Sequence, residues 1–472
     1  MILLALGRML QFILLLITLR VATHLLEPIE MGKLSIVVST ISFFALFLLN
    51  PIGMYMNRHL HEWCNVGGIR RYLLNFFLYL IGVSFFAAAV LVLVVTSGWY
   101  EVNISLHWLL FLMVGNLVFA TINQVSISNL NLLGYRGWFT TLNVATVVLN
   151  LLCAFFLSKL FPNRAEYWLS GLLLGQTLVG FIGLYLFFKK IKYVKQSARE
   201  NSFSSCKAIL KYSWPISVAV ILGWIQSQSY RYQMESTLGL YDLGLFVAGY
   251  GLSSGLIAGF DSIITAYFQP IFYEKLARKE NEGENLAWIE YAGFAIPSLL
   301  LTGFLIAAAA PELVRLILGP VYQGSVIFVI YGAFGEIART AISVFGMAAH
   351  ARKNTRWLLY PNAVGAIATP ILVWFFIPIF SMNGVGMALV LSGLMALTGA
   401  MYITNLNIKI ASLRGGALQG LILGLMLLGI SNLAKFSIGS FNDSFILVLA
   451  ILGLQGVIFL IFQYVVLRKG IH

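Results

Sequence analysis

YLLNFFLYLIGVSFFAAAVLVLVV, residues 72–95, has no charge and almost no polar group beyond its first turn. At about 1.5 Å per residue a helix of that length crosses a hydrocarbon core of roughly 30 Å. Nothing in it could face water, so it reads as a transmembrane helix turned toward lipid. Scanning outward, comparable apolar runs recur near 3–26, 34–56, 106–130, 137–158, 166–188, 207–230, 243–271, 286–309, 325–349, 357–378, 384–406, 415–433 and 444–466. The sequence therefore predicts an all-α integral membrane protein with about fourteen transmembrane helices, counting roughly 20 apolar residues per span. Composition agrees. The chain of 472 residues is 60% hydrophobic and 10% charged, whereas soluble domains run near 25% charged.

The formal net charge of +13 would suit a nucleic-acid partner in a soluble protein, but here it follows from basic residues gathered on one side. Arg58, Arg70, Arg71, Arg136, the lysine-rich stretch from Lys189 to Lys211, Lys275, Arg278, Lys279, Arg352, Lys353, Arg356, Lys409, Arg414, Arg468 and Lys469 fall on alternate connections. The opposite set holds only Lys33, Lys159, Arg164, Arg231, Arg315 and Lys435. This bias predicts both termini in the cytoplasm. Residues 3–26, with Arg8 and Arg20 and no small-residue cleavage site, read as a retained first helix rather than a signal peptide. Cys64, Cys153 and Cys206 lie too far apart for a disulfide framework or a zinc site.

The basic, polar stretch 189–206 divides the helices, giving a six-helix lobe at 1–188, a linker, a second six-helix lobe at 207–411 and two further helices at 412–472. The lobes echo each other weakly. Glu30 and Gly32 after the first span correspond to Asp242 and Gly244 after the seventh, and the turn LGYRGW at 133–138 falls near HARKNTRW at 350–357. Duplicated bundles with a site near the midplane are a transporter signature.

Charges inside spans cost about 2.5–3.5 kcal/mol each on insertion scales, so each needs a purpose. Arg8 and Arg20 lie in the first span, the latter at helical spacing from His24 and Glu27. Glu336, Arg339, Thr340 and Ser343 share one face of the tenth span, where Glu336 and Arg339 should pair. Asp261 shares a stripe with Tyr250, Ser254 and Thr265, and could be a coupling site for H+ or Na+. Uncharged polar stripes carry Asn116, Asn123 and Gln124 in the fourth span and Trp224, Gln226 and Tyr230 toward the end of the seventh, followed by Arg231. Interhelical hydrogen bonding and the lining of a water-filled cavity are both open readings of these stripes.

Gly7–Arg8, Arg20, the Leu26–Pro28–Glu30–Gly32 pattern, NRHLHE at 57–62, LGPVYQGS at 318–325 and NGVGMA at 383–388 together resemble the polysaccharide-transport branch of the MOP exporter superfamily. The resemblance implies two six-helix lobes around a central cavity. It also implies a flippase for undecaprenyl-pyrophosphate-linked oligosaccharides, repeat units of the O-antigen or capsule type, in the bacterial inner membrane. It places cavity arginines at Arg8, Arg20 and Arg58, to which burial adds Arg231 and Arg339. Bidentate guanidinium groups suit a pyrophosphate. In this expectation Asn116, Asn123, Gln124, Trp224, Tyr230 and Tyr250 surround the substrate, Asp261 and Glu336 serve coupling or gating, and no cofactor or metal is needed. A cation-coupled multidrug exporter is the alternative on the same architecture. A membrane polymerase or ligase would need catalytic groups on a large outer loop, and no loop of that size occurs.

Overall fold

The computed structural model describes residues 2–66, 69–98, 104–190, 206–277, 283–351, 355–406, 408, 413–438 and 445–470. Most of the basic linker and the basic positions Arg278, Lys279, Arg352, Lys353 and Lys409 lie outside them. Helix is the only regular secondary structure among the described residues, as a bilayer requires of any segment that must satisfy its own backbone. The helices are α1 (Ile2–Leu25), α2 (Pro28–Phe44), α3 (Asn50–Val66), α4 (Ile69–Thr96), α5 (Leu106–Gly115), α6 (Thr121–Leu132), α7 (Arg136–Leu160) and α8 (Ala165–Lys190). They continue with α9 (Cys206–Leu238), α10 (Leu240–Ala277), α11 (Gly283–Ala308), α12 (Ala310–Ile317), α13 (Val326–Ala351), α14 (Leu359–Asn405), α15 (Leu413–Ile438) and α16 (Phe445–Gly470).

Among the described residues, thirteen helical stretches are long and apolar enough to cross a membrane, so the chain is a multi-pass membrane protein. One of them, Leu359–Asn405, is twice the usual length, and Ser381 at φ 51°, ψ −132° divides it. The two halves are the separate spans expected at 357–378 and 384–406. The apolar runs misplace some ends. The seventh span, expected to stop at 230, continues as α9 to Leu238, so Arg231 lies within a helix and not on a connection. Its real stop is Gly239, whose φ of +90° closes the helix as its amide bonds back to Glu235 O. Gly134, at φ +87°, makes the corresponding turn between α6 and α7.

Two spans contain π-helical turns, Ala45–Leu49 joining α2 to α3 and Asn116–Ala120 joining α5 to α6. The first precedes Pro51, which cannot donate to the carbonyl four residues back. That carbonyl, Phe47 O, accepts instead from Ser217 Oγ at 3.0 Å, and the next, Leu48 O, accepts from Tyr79 Oη at 3.0 Å.

The chain divides into two compact units, Met1–Ile221 and Leu222–His472. In the first, α7 packs along α8, which also takes α6, and α1 lies on α7. Val37, Leu80, Ala87, Leu112 and Met113 form one buried cluster, and Leu60, Leu130 and Phe187 anchor another. Glu30, a residue of the pattern after the first span, holds Lys33 at 2.8 Å and accepts from the Ala165 amide at 2.8 Å. It thereby caps the start of α8, where amides lack helical partners. In the second unit α13 is central, flanked by α10, α11 and α14, while α15 and α16 pack on α11. Polar staples fasten these last two helices: Lys435 to Glu312 and the Ala308 carbonyl, Gln455 to Ser431, and Gln463 to Ser298.

Candidate functional site

Within the second unit, the predicted polar residues of α9, α10 and α13 converge. Glu336, 3% exposed, is ion-paired with Arg339, as their spacing of three on one helix face predicts. The Tyr250 hydroxyl hydrogen-bonds the same carboxylate. Gly335 makes this contact possible, since a Cβ there would stand 2.9 Å from the tyrosine oxygen. Tyr250 stacks on Phe246 with centroids 5.6 Å apart, and the fully buried Tyr230 lies 5.5 Å from Phe246 and 6.2 Å from Tyr250. Arg231 Nε donates to the Tyr230 hydroxyl at 3.3 Å. The result is a continuous line, Arg231–Tyr230–Tyr250–Glu336–Arg339, with a guanidinium at each end. The Arg339 side chain remains 40% exposed, so Glu336 occupies only part of its fork.

Trp224 is half-buried, its ring 6.0 Å from that of Tyr232. Asp261, also half-buried, lies near Tyr291 of α11 and has no ion-pair partner among the described residues. One partner that periodicity does not show is Gln233, whose amide donates to the Pro370 carbonyl at 3.1 Å.

The first unit uses its polar residues differently. Asn123 is buried, and its amide donates to Thr146 Oγ1 at 3.2 Å and to the Gln176 carbonyl at 3.1 Å, joining α6 to α7 and α8. Asn116 bonds its own preceding turn at Leu112 O. Gln124 is exposed and lines a small cavity of about 140 Å³ with Asn50, Asn57, Thr121 and Ser128. Composition gave no hint that Asn50 and Asn57 would meet the fourth span there, because the π turn before Asn50 sets their direction.

Arg8, Arg20 and Arg58 of the first unit are exposed. Arg8 lies over the Phe139 ring at 5.7 Å and Arg58 over the Tyr212 ring at 5.8 Å. No ion pair links either of them, or Arg20, to a carboxylate among the described residues. Arg20, His24 and Glu27, at helical spacing in the sequence, form no cluster; all three are exposed, and no hydrogen bond joins their side chains. The helix ends at Leu25, so Glu27 leaves the α1 surface on which that spacing would have placed it.

No protein-family model matches the chain, and no curated protein sequence does either. The fold does match solved structures. It is similar over its whole length, and over the whole of the other chain, to the lipid II flippase MurJ in an inward closed conformation, with a TM-score of 0.70 and 16% identity. It resembles an inward-facing multidrug resistance MATE family transporter of the MOP superfamily over 88% of this chain and 95% of that one, at TM-score 0.59 and 15% identity. A MOP superfamily transporter from Pyrococcus furiosus, described as having a binding pocket of reverse polarity, matches at TM-score 0.56 and 16% identity over 87% and 94% of the two chains. The fold is therefore one that these solved transporters share.

Proposed function

We propose that this protein is a flippase. It moves an undecaprenyl-pyrophosphate-linked oligosaccharide, a repeat unit of the O-antigen or capsule type, across the bacterial inner membrane by alternating access. The observation that carries this reading is the set of exposed arginines in the helices of the first unit, Arg8, Arg20 and Arg58, without carboxylate partners among the described residues. Cations in or beside membrane spans are costly to keep. A mobile anion that visits them would account for the cost, and a diphosphate offers oxygens spaced for a planar fork. Arg339, only partly occupied by Glu336, supplies a comparable group in the second unit. Gln124 and Trp224 are suited to the sugar, whereas the Asn123 amide is already committed between helices and the Tyr250 hydroxyl to Glu336. A fold shared with a lipid II flippase supports the architecture this reading needs.

The test replaces Arg20 and Arg339 separately by Lys and by Ala. Surface-polysaccharide assembly is measured in a complemented strain, with protein level by immunoblot. Losing a charge-assisted contact should lower transport by about tenfold or more in the Ala variants. Lys should fall between Ala and the unmodified protein, at normal abundance. Full activity of the Ala variants would remove both residues from the mechanism. Asp261 favours a second reading, a cation-coupled exporter of small organic cations, because a carboxylate inside α10 without a basic partner is suited to a proton or sodium ion. Under that reading Asp261→Asn abolishes drug efflux, and the arginine variants leave efflux intact.

A further inference from the structure

The first unit contains a groove of about 810 Å³ between α4, α6 and α8. That volume lies within the range of about 300–1,000 Å³ usual for small-molecule sites. Its walls are almost wholly hydrocarbon, with Phe77, Leu80, Phe119, Ile122, Leu184 and Phe188 prominent. Helix direction fixes which end is which. Leu73 lies near the start of α4, while Asn129 and Phe188 lie near the ends of α6 and α8, and all three line the groove. At this end the wall passes directly into basic residues: Arg71 precedes Leu73 by two positions, and Lys189 and Lys190 follow Phe188.

The two lysines lie over aromatic rings. Lys189 Nζ lies 5.9 Å from the Tyr185 ring, and Lys190 Nζ lies 5.4 Å from that of Tyr135. A second, independent feature lies at the same depth. Asn129 is 1% exposed, lines the groove one turn from the end of α6, and its Oδ1 has no hydrogen-bond partner among the described residues. A buried carboxamide oxygen without a donor is unfavourable by roughly 1–3 kcal/mol, which a ligand hydroxyl would relieve.

We propose that this groove binds an anionic glycerophospholipid with a hydroxylated headgroup, of the phosphatidylglycerol type. An acyl chain fills the hydrocarbon wall, the phosphate lies against Arg71, Lys189 and Lys190, and a headgroup hydroxyl donates toward Asn129. The apolar wall alone would accept any bilayer chain. Basic residues at its mouth select for negative charge, and the buried acceptor selects for a donor near the phosphate. This site lies within one unit and does not depend on the transported substrate proposed above.

The experiment places photoreactive benzoylphenylalanine at Phe119 in the full-length protein. The protein is reconstituted in bilayers of phosphatidylglycerol and phosphatidylethanolamine, and adducts are identified by mass spectrometry. Phosphatidylglycerol adducts should exceed phosphatidylethanolamine adducts at least fivefold at equal lipid content. The variant R71Q/K189Q/K190Q should reduce them about tenfold or more, since each surface cation contributes roughly a factor of five. Native mass spectrometry gives an independent measure. Ile122→Trp with Leu184→Trp should lose the retained lipid, while Leu93→Trp, exposed on α4 about three turns beyond the groove, should keep it. Equal labelling by both lipids, indifference to the basic substitutions, or displacement of phosphatidylglycerol by equimolar undecaprenyl phosphate would each overturn the assignment, the last by giving the groove to a polyprenyl carrier.

Discussion

In the first unit the buried Asn123 amide bonds across to neighbouring helices, and Arg8, Arg20 and Arg58 are exposed without carboxylate partners among the described residues. In the second unit an acid is buried at 3% exposure, a guanidinium and a phenol both contact it, and aromatic rings enclose the group. The contrast separates two uses of polarity in a bilayer. Amides crossing between helices contribute modestly and can be lost one at a time. A buried carboxylate and its cation are a coupled unit, and removing one partner leaves the other stranded.

The comparison is broken most directly at Glu336. Glu336→Ala should lower stability by about 1–3 kcal/mol, read from thermal or steric-trap unfolding in detergent, because the part-exposed Arg339 would lose its counter-charge and Tyr250 its acceptor. Replacing both, as Glu336→Leu with Arg339→Met, should recover most of that loss. A double variant as unstable as the single would mean the pair contributes by shape and not by charge.

The first unit should have its own weak point in close packing, not in charge. A Cβ on Gly171 would stand 2.3 Å from the Ala154 Cα on α7. Gly171→Val must therefore push α7 and α8 apart, for a loss of about 1–3 kcal/mol. Asn123→Leu, which deletes the amide bridge between α6, α7 and α8, should cost only about 0.6 kcal/mol, the average for such interhelical bonds. Arg20→Ala should be smaller still, within about 0.5 kcal/mol, since no side-chain partner holds Arg20 among the described residues. A large stability loss there would erase the contrast between the units and make Arg20 a structural residue.

What the sequence made legible follows the range of the interactions. Apolar runs revealed the spans because bilayer thickness imposes a length on each. The Glu336–Arg339 pair was legible because residues three apart on a helix must be neighbours. Arg231 was misplaced because hydropathy ends where charge begins, whereas the helix continues until Gly239 can turn it. The capping role of Glu30 was hidden, since its partner amide at Ala165 is distant in sequence and carries no side-chain signature. The π turns left almost no trace. One additional residue in an apolar helix changes neither composition nor hydropathy, and only Pro51 marks a neighbourhood where a carbonyl must look elsewhere.

That additional residue at Ala45–Leu49 makes the second span a screw with one thread to spare. Winding the turn back to α-helical pitch would rotate Asn50–Val66 by about 100° relative to Pro28–Phe44. The same motion would withdraw the Phe47 and Leu48 oxygens from Ser217 and Tyr79. It would also swing Asn50 and Asn57 away from the cavity they share with Gln124. The two side-chain bonds therefore act as a catch on the register of the whole span, holding by backbone oxygens alone the direction in which its lower half presents its polar groups.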